Sequence, residues 1–230
     1  MKLGNEETLQ RIKGGLIVSC QALPEEPLHS SFIMGRMALA ASQAGAVGIR
    51  ANTVADIKEI RNMVDLPIIG IIKKVYDDCP DVYITPTIAE VDALTACGVE
   101  IIATDATRRD RPGGETIETF FSKVRAKFPD QLFMADCSNV EEGMEAAALG
   151  FDLIGTTMAS YTPYTRGCPL PPFDMIEYLV KNCGKPVVAE GNIITPEHLR
   201  HAMDLGVLTA VVGSAITRPL EITKRFVAVL

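Results

Sequence analysis

Val187–Thr195 (VVAEGNIIT) and Ala210–Pro219 (AVVGSAITRP) decide the fold. Each is a short apolar run that breaks into glycine and a small polar residue, then leads into a helix-like segment. Runs of this kind read as strands buried on both faces. Glycine at the end of each lets bare backbone N–H groups approach a ligand, and the helix start that follows favours negative charge. Two such turns in successive βα units are how the last two strands of a (β/α)8 barrel build a phosphate site. The pair therefore points to a phosphorylated small molecule as the ligand.

The same alternation extends back to the N-terminus. Gly15–Gln21, Ala46–Asn52, Pro67–Lys74, Val99–Thr107, Gln131–Ser138 and Phe151–Met158 are strand-like, and with Pro186–Asn192 and Ala210–Ala215 they make eight. Ser31–Ala44, Val54–Val64 and Ile88–Ala96 read as helices between them, and Tyr83–Thr87 as a short extra piece. Later helices end at Gly150, Gly184 and Gly206, where a left-handed residue is wanted. Strand–helix alternation implies a parallel sheet with right-handed crossovers. Eight strands imply closure into an α/β (β/α)8 TIM barrel of one domain, 1–230, with 1–14 a helical N-terminal extension. An open doubly wound sheet would want a G-x-G-x-x-G turn after the first strand, and there is none.

Composition narrows the partner. The chain has 230 residues and a formal net charge of −7, with no basic block, which argues against nucleic acid or an anionic membrane surface. Any anion site must be made locally by a few aimed groups. Six scattered cysteines without a C-x-x-C pair suit a cytoplasmic protein. Ile17–Cys20 (IVSC) imitates a lipoprotein cleavage site, but the polar residues before it, with Glu6 and Glu7, leave no apolar leader, so it reads as the first strand. No apolar run is as long as a membrane span. The histidines are His29, His198 and His201, and the last two read as a surface helix pair rather than a metal site. No metal and no cofactor is expected.

Barrel chemistry is assembled where strands end. Those ends carry, in order, Gln21, Arg50, Lys73, Asp105, Asp136, Thr156–Thr157, Glu190 and Gly213–Ser214. Lys73 and Glu190 follow apolar strands, so partial desolvation would lower the lysine pKa and raise that of the glutamate. Such a lysine can take a proton from carbon, and such a carboxyl can return one. Lys74 competes for the role, since only one of two adjacent strand side chains faces the pocket. The proline-rich segment Ser160–Phe173 cannot be helical, and its length suits a flap over the pocket. Tyr161 within it, Thr157 before it, and Gly191 with Asn192 in the seventh turn complete the candidate binding set.

Several segments together resemble the bacterial N-acetylmannosamine-6-phosphate 2-epimerases. They are Ile17–Phe32 (IVSCQALPEEPLHSSF), GIIKK at Gly70–Lys74, DAT at Asp105–Thr107, MAD at Met134–Asp136, GTTMASYTPYT at Gly155–Thr165, AEGNIITPE, and GSAITRPLEITKRF. The resemblance runs from about Gly15 to Phe226. It implies a metal-independent barrel, in sialic acid catabolism, that interconverts N-acetylmannosamine 6-phosphate and N-acetylglucosamine 6-phosphate. Its catalytic lysine falls on Lys73 and its acidic partner on Glu190. Its substrate contacts fall on Gln21, Arg50 and Asp136, and its phosphate arginine on Arg218. The phosphate turn often reads GGAIT in that family and here reads GSAIT, with Ser214. A homodimer is expected by analogy.

The residues suit that chemistry on their own account. Inversion at carbon 2 of an amino sugar needs the ring opened, so that the aldehyde stabilises the carbanion. Asp136 or Glu190 could open the ring, Lys73 could act at carbon 2, and Arg50 or Gln21 could donate to the enolate oxygen. The phosphate would anchor the substrate away from the reacting carbon. Two other classes remain open at this stage: a Schiff-base lyase using the lysine, and a non-catalytic sugar-phosphate sensor.

Overall fold

The computed structural model describes residues 3–230, the side chains of Pro80 and Val82 excepted. Ten strands are present: β1 (Leu16–Cys20), β2 (Gly48–Asn52), β3 (Ile68–Ile71), β4 (Lys73–Tyr76), β5 (Cys79–Ile84), β6 (Ile101–Asp105), β7 (Leu132–Asp136), β8 (Leu153–Gly155), β9 (Val187–Ala189) and β10 (Thr209–Val212). Eight of them close a parallel barrel in the order β1-β10-β9-β8-β7-β6-β3-β2, with β1 paired to β2 as well as to β10. The expected TIM barrel is thus the observed fold.

The helices are α1 (Asn5–Ile12), α2 (Ser31–Gln43), α3 (Val54–Met63), α4 (Ile88–Ala96), α5 (Ile117–Lys127), α6 (Val140–Leu149), α7 (Phe173–Asn182), α8 (Pro196–Asp204), α9 (Ser214–Thr217) and α10 (Pro219–Val227). Side chains alternate across each strand, so two apolar layers form. Val18, Ile49, Ile102, Phe133 and Ile154 face out and pack under the helices. Ile17, Ile69, Ile101, Leu132, Leu153, Val188 and Val211 face in and fill the barrel. Ile12 of α1 joins the inner group with no exposed surface, so the first helix closes the N-terminal end of the barrel. Gly155 also faces in. A Cβ there would lie 2.2 Å from the Met134 Cε atom, so the glycine makes the room that Met134 occupies below Asp136.

Two boundaries differ from the sequence reading. The third strand does not run through Lys74. It stops at Ile71, and Lys73–Tyr76 turns into an antiparallel hairpin with Cys79–Ile84, pairing Lys73 with Ile84 and Lys74 with Tyr83. Thr85, buried at φ 47°, fixes the break by exchanging bonds with Ile72: its N–H donates to the Ile72 carbonyl at 2.8 Å and its Oγ1 accepts the Ile72 N–H at 3.2 Å. The proline-rich segment is irregular as expected up to Pro172, but Phe173 already belongs to α7. His198 and His201 stand edge-on to the Phe173 ring, with centroids 5.9 and 4.4 Å away, and tie α8 to the start of α7. Gly150, Gly184 and Gly206 all have positive φ where α6, α7 and α8 finish.

The closing role of α1 can be measured. Ile12→Ala removes a fully buried side chain at the end of the barrel remote from the polar strand ends, and should cost about 2–5 kcal/mol in urea unfolding. Ligand affinity should be unchanged, because the floor and the rim share no side chains.

Candidate active site

At the C-terminal end of the barrel the inward positions become polar. The continuation of the inward alternation through β1, β2, β7 and β9 brings Ser19 and Gln21, Arg50 and Asn52, Asp136, and Glu190 to one rim. Arg50 lies at its centre with 1% of its side chain exposed. Its Nη2 donates to Asp136 Oδ2 at 2.7 Å, and its Nη1 donates to Asp136 Oδ1 at 3.1 Å and Glu190 Oε2 at 2.9 Å. Thr157, just past β8, donates to Asp136 Oδ1 at 2.6 Å and lies 3.2 Å from Glu190 Oε2. Thr156 fixes the Glu190 backbone: its hydroxyl donates to the Glu190 carbonyl at 2.7 Å and accepts the Glu190 N–H at 3.1 Å.

The break after β3 sends the two lysines in different directions. Asn52 Oδ1 accepts the Lys73 N–H at 2.9 Å and holds that residue at the rim. Burial pushes the Lys73 ammonium down to about 8, with Arg50 and Arg218 adding to the shift and Glu190 and Asp136 opposing it. Among the described residues its amine forms no ion pair. Lys74 goes the other way, with 49% of its side chain exposed and its Nζ 3.2 Å from Glu90 Oε1 on α4. Its pKa is raised by its contacts with Tyr76 and Glu90.

Glu190 is the counterpart. Burial pushes its carboxyl up to about 7; Arg50 opposes this, Asp136 reinforces it, and the Thr157 hydroxyl and Lys73 oppose it. The same two carboxylates hold the Arg50 pKa above its ordinary value despite the desolvation that works against it. Near neutral pH the rim therefore holds an amine that can shed a proton beside a carboxyl that can carry one. That combination permits proton removal and return at a single bound carbon.

The two glycine turns at the rim leave backbone exposed at both positions. Gly191 has φ 118°, and a Cβ there would lie 3.2 Å from the Thr156 carbonyl oxygen, so no side chain fits. Asn192 follows at φ 57° and is exposed. Gly213 sits against Ser19 and precedes α9, a single turn whose first N–H groups, those of Ser214 and Ala215, have no intrahelical acceptor. Gln21 donates to Ser19 Oγ at 2.7 Å, and its Oε1 is buried without a partner among the described residues.

Three candidates differ from expectation. Arg218 is not an uncommitted anion receptor: its Nε donates to Glu26 Oε2 at 2.9 Å and its Nη2 contacts Glu26 Oε1. Tyr161 is 71% exposed, and its hydroxyl has no partner among the described residues. Asp105, the register neighbour of Asp136, is taken up by Thr107 and Arg109, the latter at 2.5 Å. Glu26 and Asn52 were missed. Asn52 was legible, since it stands two residues after Arg50 on the same face of β2. Glu26 was not, because its partner lies 192 residues away.

Among the described residues, no group of three or more His, Cys, Asp and Glu side chains is arranged to hold a metal ion. A sequence profile of the family described as "Putative N-acetylmannosamine-6-phosphate epimerase" matches residues 34–230. A protein of Clostridium perfringens is 55% identical over 222 residues, which is 96% of this chain and 99% of that one. One of Lactiplantibacillus plantarum is 52% identical over 224 residues, 96% and 98% of the two chains. Both are described as putative N-acetylmannosamine-6-phosphate 2-epimerases. The solved N-acetylmannosamine-6-phosphate 2-epimerase of Clostridium perfringens superposes with a TM-score of 0.91 at 55% identity, over 96% of each chain. A thiamine phosphate pyrophosphorylase of Pyrococcus furiosus, at 20% identity and a TM-score of 0.61 over 94% of this chain and 93% of its own, shares the fold alone.

The raised carboxyl has a consequence for stability. With its folded pKa near 7 against an ordinary 4.5, Glu190 keeps its proton in the folded state over a range where the unfolded chain releases it. Its contribution is complete below about 4.5 and lost as pH rises through about 7. Urea unfolding at pH 5 and pH 8 should therefore show a larger fall in the wild type than in Glu190→Gln, which has no proton to lose.

Proposed function

The chain belongs to the N-acetylmannosamine-6-phosphate 2-epimerase family, and on that premise we propose that it interconverts N-acetylmannosamine 6-phosphate and N-acetylglucosamine 6-phosphate by moving a proton off and onto carbon 2. The observation that carries the reading is the pairing of an inward lysine, pushed down to about 8, with a buried carboxyl pushed up to about 7 on one barrel rim. Lys73 acts at carbon 2 as the base. Glu190 returns a proton, and Asp136 or Glu190 serves ring opening. Arg50 and Gln21 are positioned to donate toward a developing enolate oxygen, and the unpartnered Gln21 Oε1 marks room for a polar ligand group. The step needs only proton transfer, so no metal and no cofactor enters.

The phosphate is received by the Gly191–Asn192 and Gly213–Ser214 turns, with Arg218 as a charged clamp once Glu26 yields it. The Ser160–Pro172 segment closes over the sugar, with Tyr161 carried on it. Residues 1–230 form one catalytic domain.

The same reading extends to assembly and location. Helix α10 is amphipathic yet has no buried residue, and Phe226 is 72% exposed. A second copy of the chain covering that face gives the homodimer. The six cysteines are free, and among the described residues no helix is long and apolar enough to cross a membrane, which fits work in the cytoplasm.

Incubation with N-acetylmannosamine 6-phosphate in deuterated water, followed by NMR at carbon 2, should show epimerisation with deuterium uptake. Lys73→Ala and Glu190→Gln should each lower turnover by about a hundred- to ten-thousand-fold while binding survives. Lys74→Ala should leave turnover nearly intact; a dead Lys74→Ala with an active Lys73→Ala would overturn the assignment. Arg218→Ala should weaken phosphosugar binding, and unphosphorylated N-acetylmannosamine should be a very poor substrate.

A further inference from the structure

Thr157 has one hydroxyl proton and two carboxyl neighbours. Its Oγ1 lies 2.6 Å from Asp136 Oδ1 and 3.2 Å from Glu190 Oε2. The shorter contact fixes where the proton points: Thr157 donates to Asp136. The longer contact is then between two oxygens with no proton of the threonine between them, and it is attractive only when Glu190 supplies one. Arg50 Nη1 donates to the same two oxygens, Asp136 Oδ1 and Glu190 Oε2.

We infer that Thr157 is a positioning residue that holds the transferable proton of Glu190, donating to Asp136 while Glu190 is protonated and turning to Glu190 once that proton has gone. The inference rests on the epimerase reading above. In the loaded state Glu190 Oε2–H donates to Thr157 Oγ1, and Thr157 Oγ1–H donates to Asp136 Oδ1. When the carbanion at carbon 2 uses its electron pair to take the Glu190 proton, one C–H bond forms and one O–H bond breaks. Glu190 is left a carboxylate facing a hydroxyl oxygen. Rotation about the Thr157 C–O bond turns its O–H to donate to Glu190 Oε2, and Asp136 keeps the Arg50 fork. The proton count is conserved: one leaves with the substrate, and one stays on Thr157 throughout. A valine has the same shape and no proton to turn.

The groups facing Glu190 are Arg50 from β2, Lys73 at the start of β4, Asp136 from β7 and Thr157 after β8. Of these, the threonine alone can be changed without altering a charge. Once it has turned to ionised Glu190, the Thr157 hydroxyl works against the burial that raises the Glu190 pKa, so its loss should raise that pKa further.

The test compares wild type, Thr157→Val and Thr157→Ser. Thr157→Val should lower kcat about ten- to hundred-fold, the scale of a hydrogen bond to a charged group, with KM for the phosphosugar within about two-fold. The limb of the kcat/KM profile that reports Glu190 should move to higher pH. Thr157→Ser, which keeps the hydroxyl, should restore kcat to within a few-fold and return the limb. A rise in KM with kcat and the limb unchanged would make Thr157 a plain substrate ligand and overturn the inference, as would three enzymes that behave alike. The Glu190 pKa can also be followed by carbon NMR of labelled glutamate without substrate. An unmoved titration in a folded Thr157→Val sinks the bridge, whereas a wild type that moves no deuterium onto carbon 2 sinks the epimerase reading instead.

Discussion

One positive charge, Arg50, faces two carboxyl groups in a space almost closed to water, and the chemistry of the rim follows from that imbalance. A buried ion pair is tolerated only when geometry is good and both partners are satisfied, and removing one partner of such a pair costs about 3–5 kcal/mol. Asp136 takes both Arg50 nitrogens and satisfies that demand. Glu190 receives the shared half of Nη1 and is the carboxyl left to hold a proton. The guanidinium also bears on Lys73, where a second positive charge nearby makes the neutral amine easier to reach. Burial, with Arg50 adding to the shift at the lysine and opposing it at the glutamate, thus brings two groups of very different ordinary acidity to adjoining values.

The barrel supplies the geometry for this without special devices. Strand alternation sends Ile17, Ile69, Ile101 and Leu132 into the floor, and the same register carried further brings Gln21 and Asp136 to the rim, where Asn52 holds Lys73 past the end of β3. The floor is apolar and sealed by α1, so the polar layer rests on a low-dielectric base. This is why burial is the largest influence on both Lys73 and Glu190.

Much of this was legible in the sequence, because short apolar runs alternating with helix-like segments need no knowledge of the partners. The eight barrel strands and the membership of Arg50, Lys73, Asp136 and Glu190 at their ends came from that pattern alone. The choice of Lys73 over Lys74 did not, since both followed an apolar run. The two lysines part at the strand break at Ile72, which depends on Thr85 reaching back across the β4–β5 hairpin. The hairpin was missed because Tyr76 to Cys79 turns through Asp77-Asp78, without the glycine or asparagine that marks such turns. The Glu26–Arg218 pair joins the loop after β1 to the segment before α10, and a contact between opposite ends of a chain leaves no local signature.

Barrel closure itself joins opposite ends of the chain. β1 pairs with β10 from Leu16↔Ala210 to Val18↔Val212, so the first strand of the barrel waits for its last. Until residue 212 is available, β1 and its neighbours form an open parallel sheet with an unpaired edge and an uncovered inner face. Such a sheet invites pairing with other nascent chains, and sequence separation of this order slows folding. The architecture that gives the rim its ring of functional groups therefore leaves a sheet edge open to aggregation until residue 212 has been made.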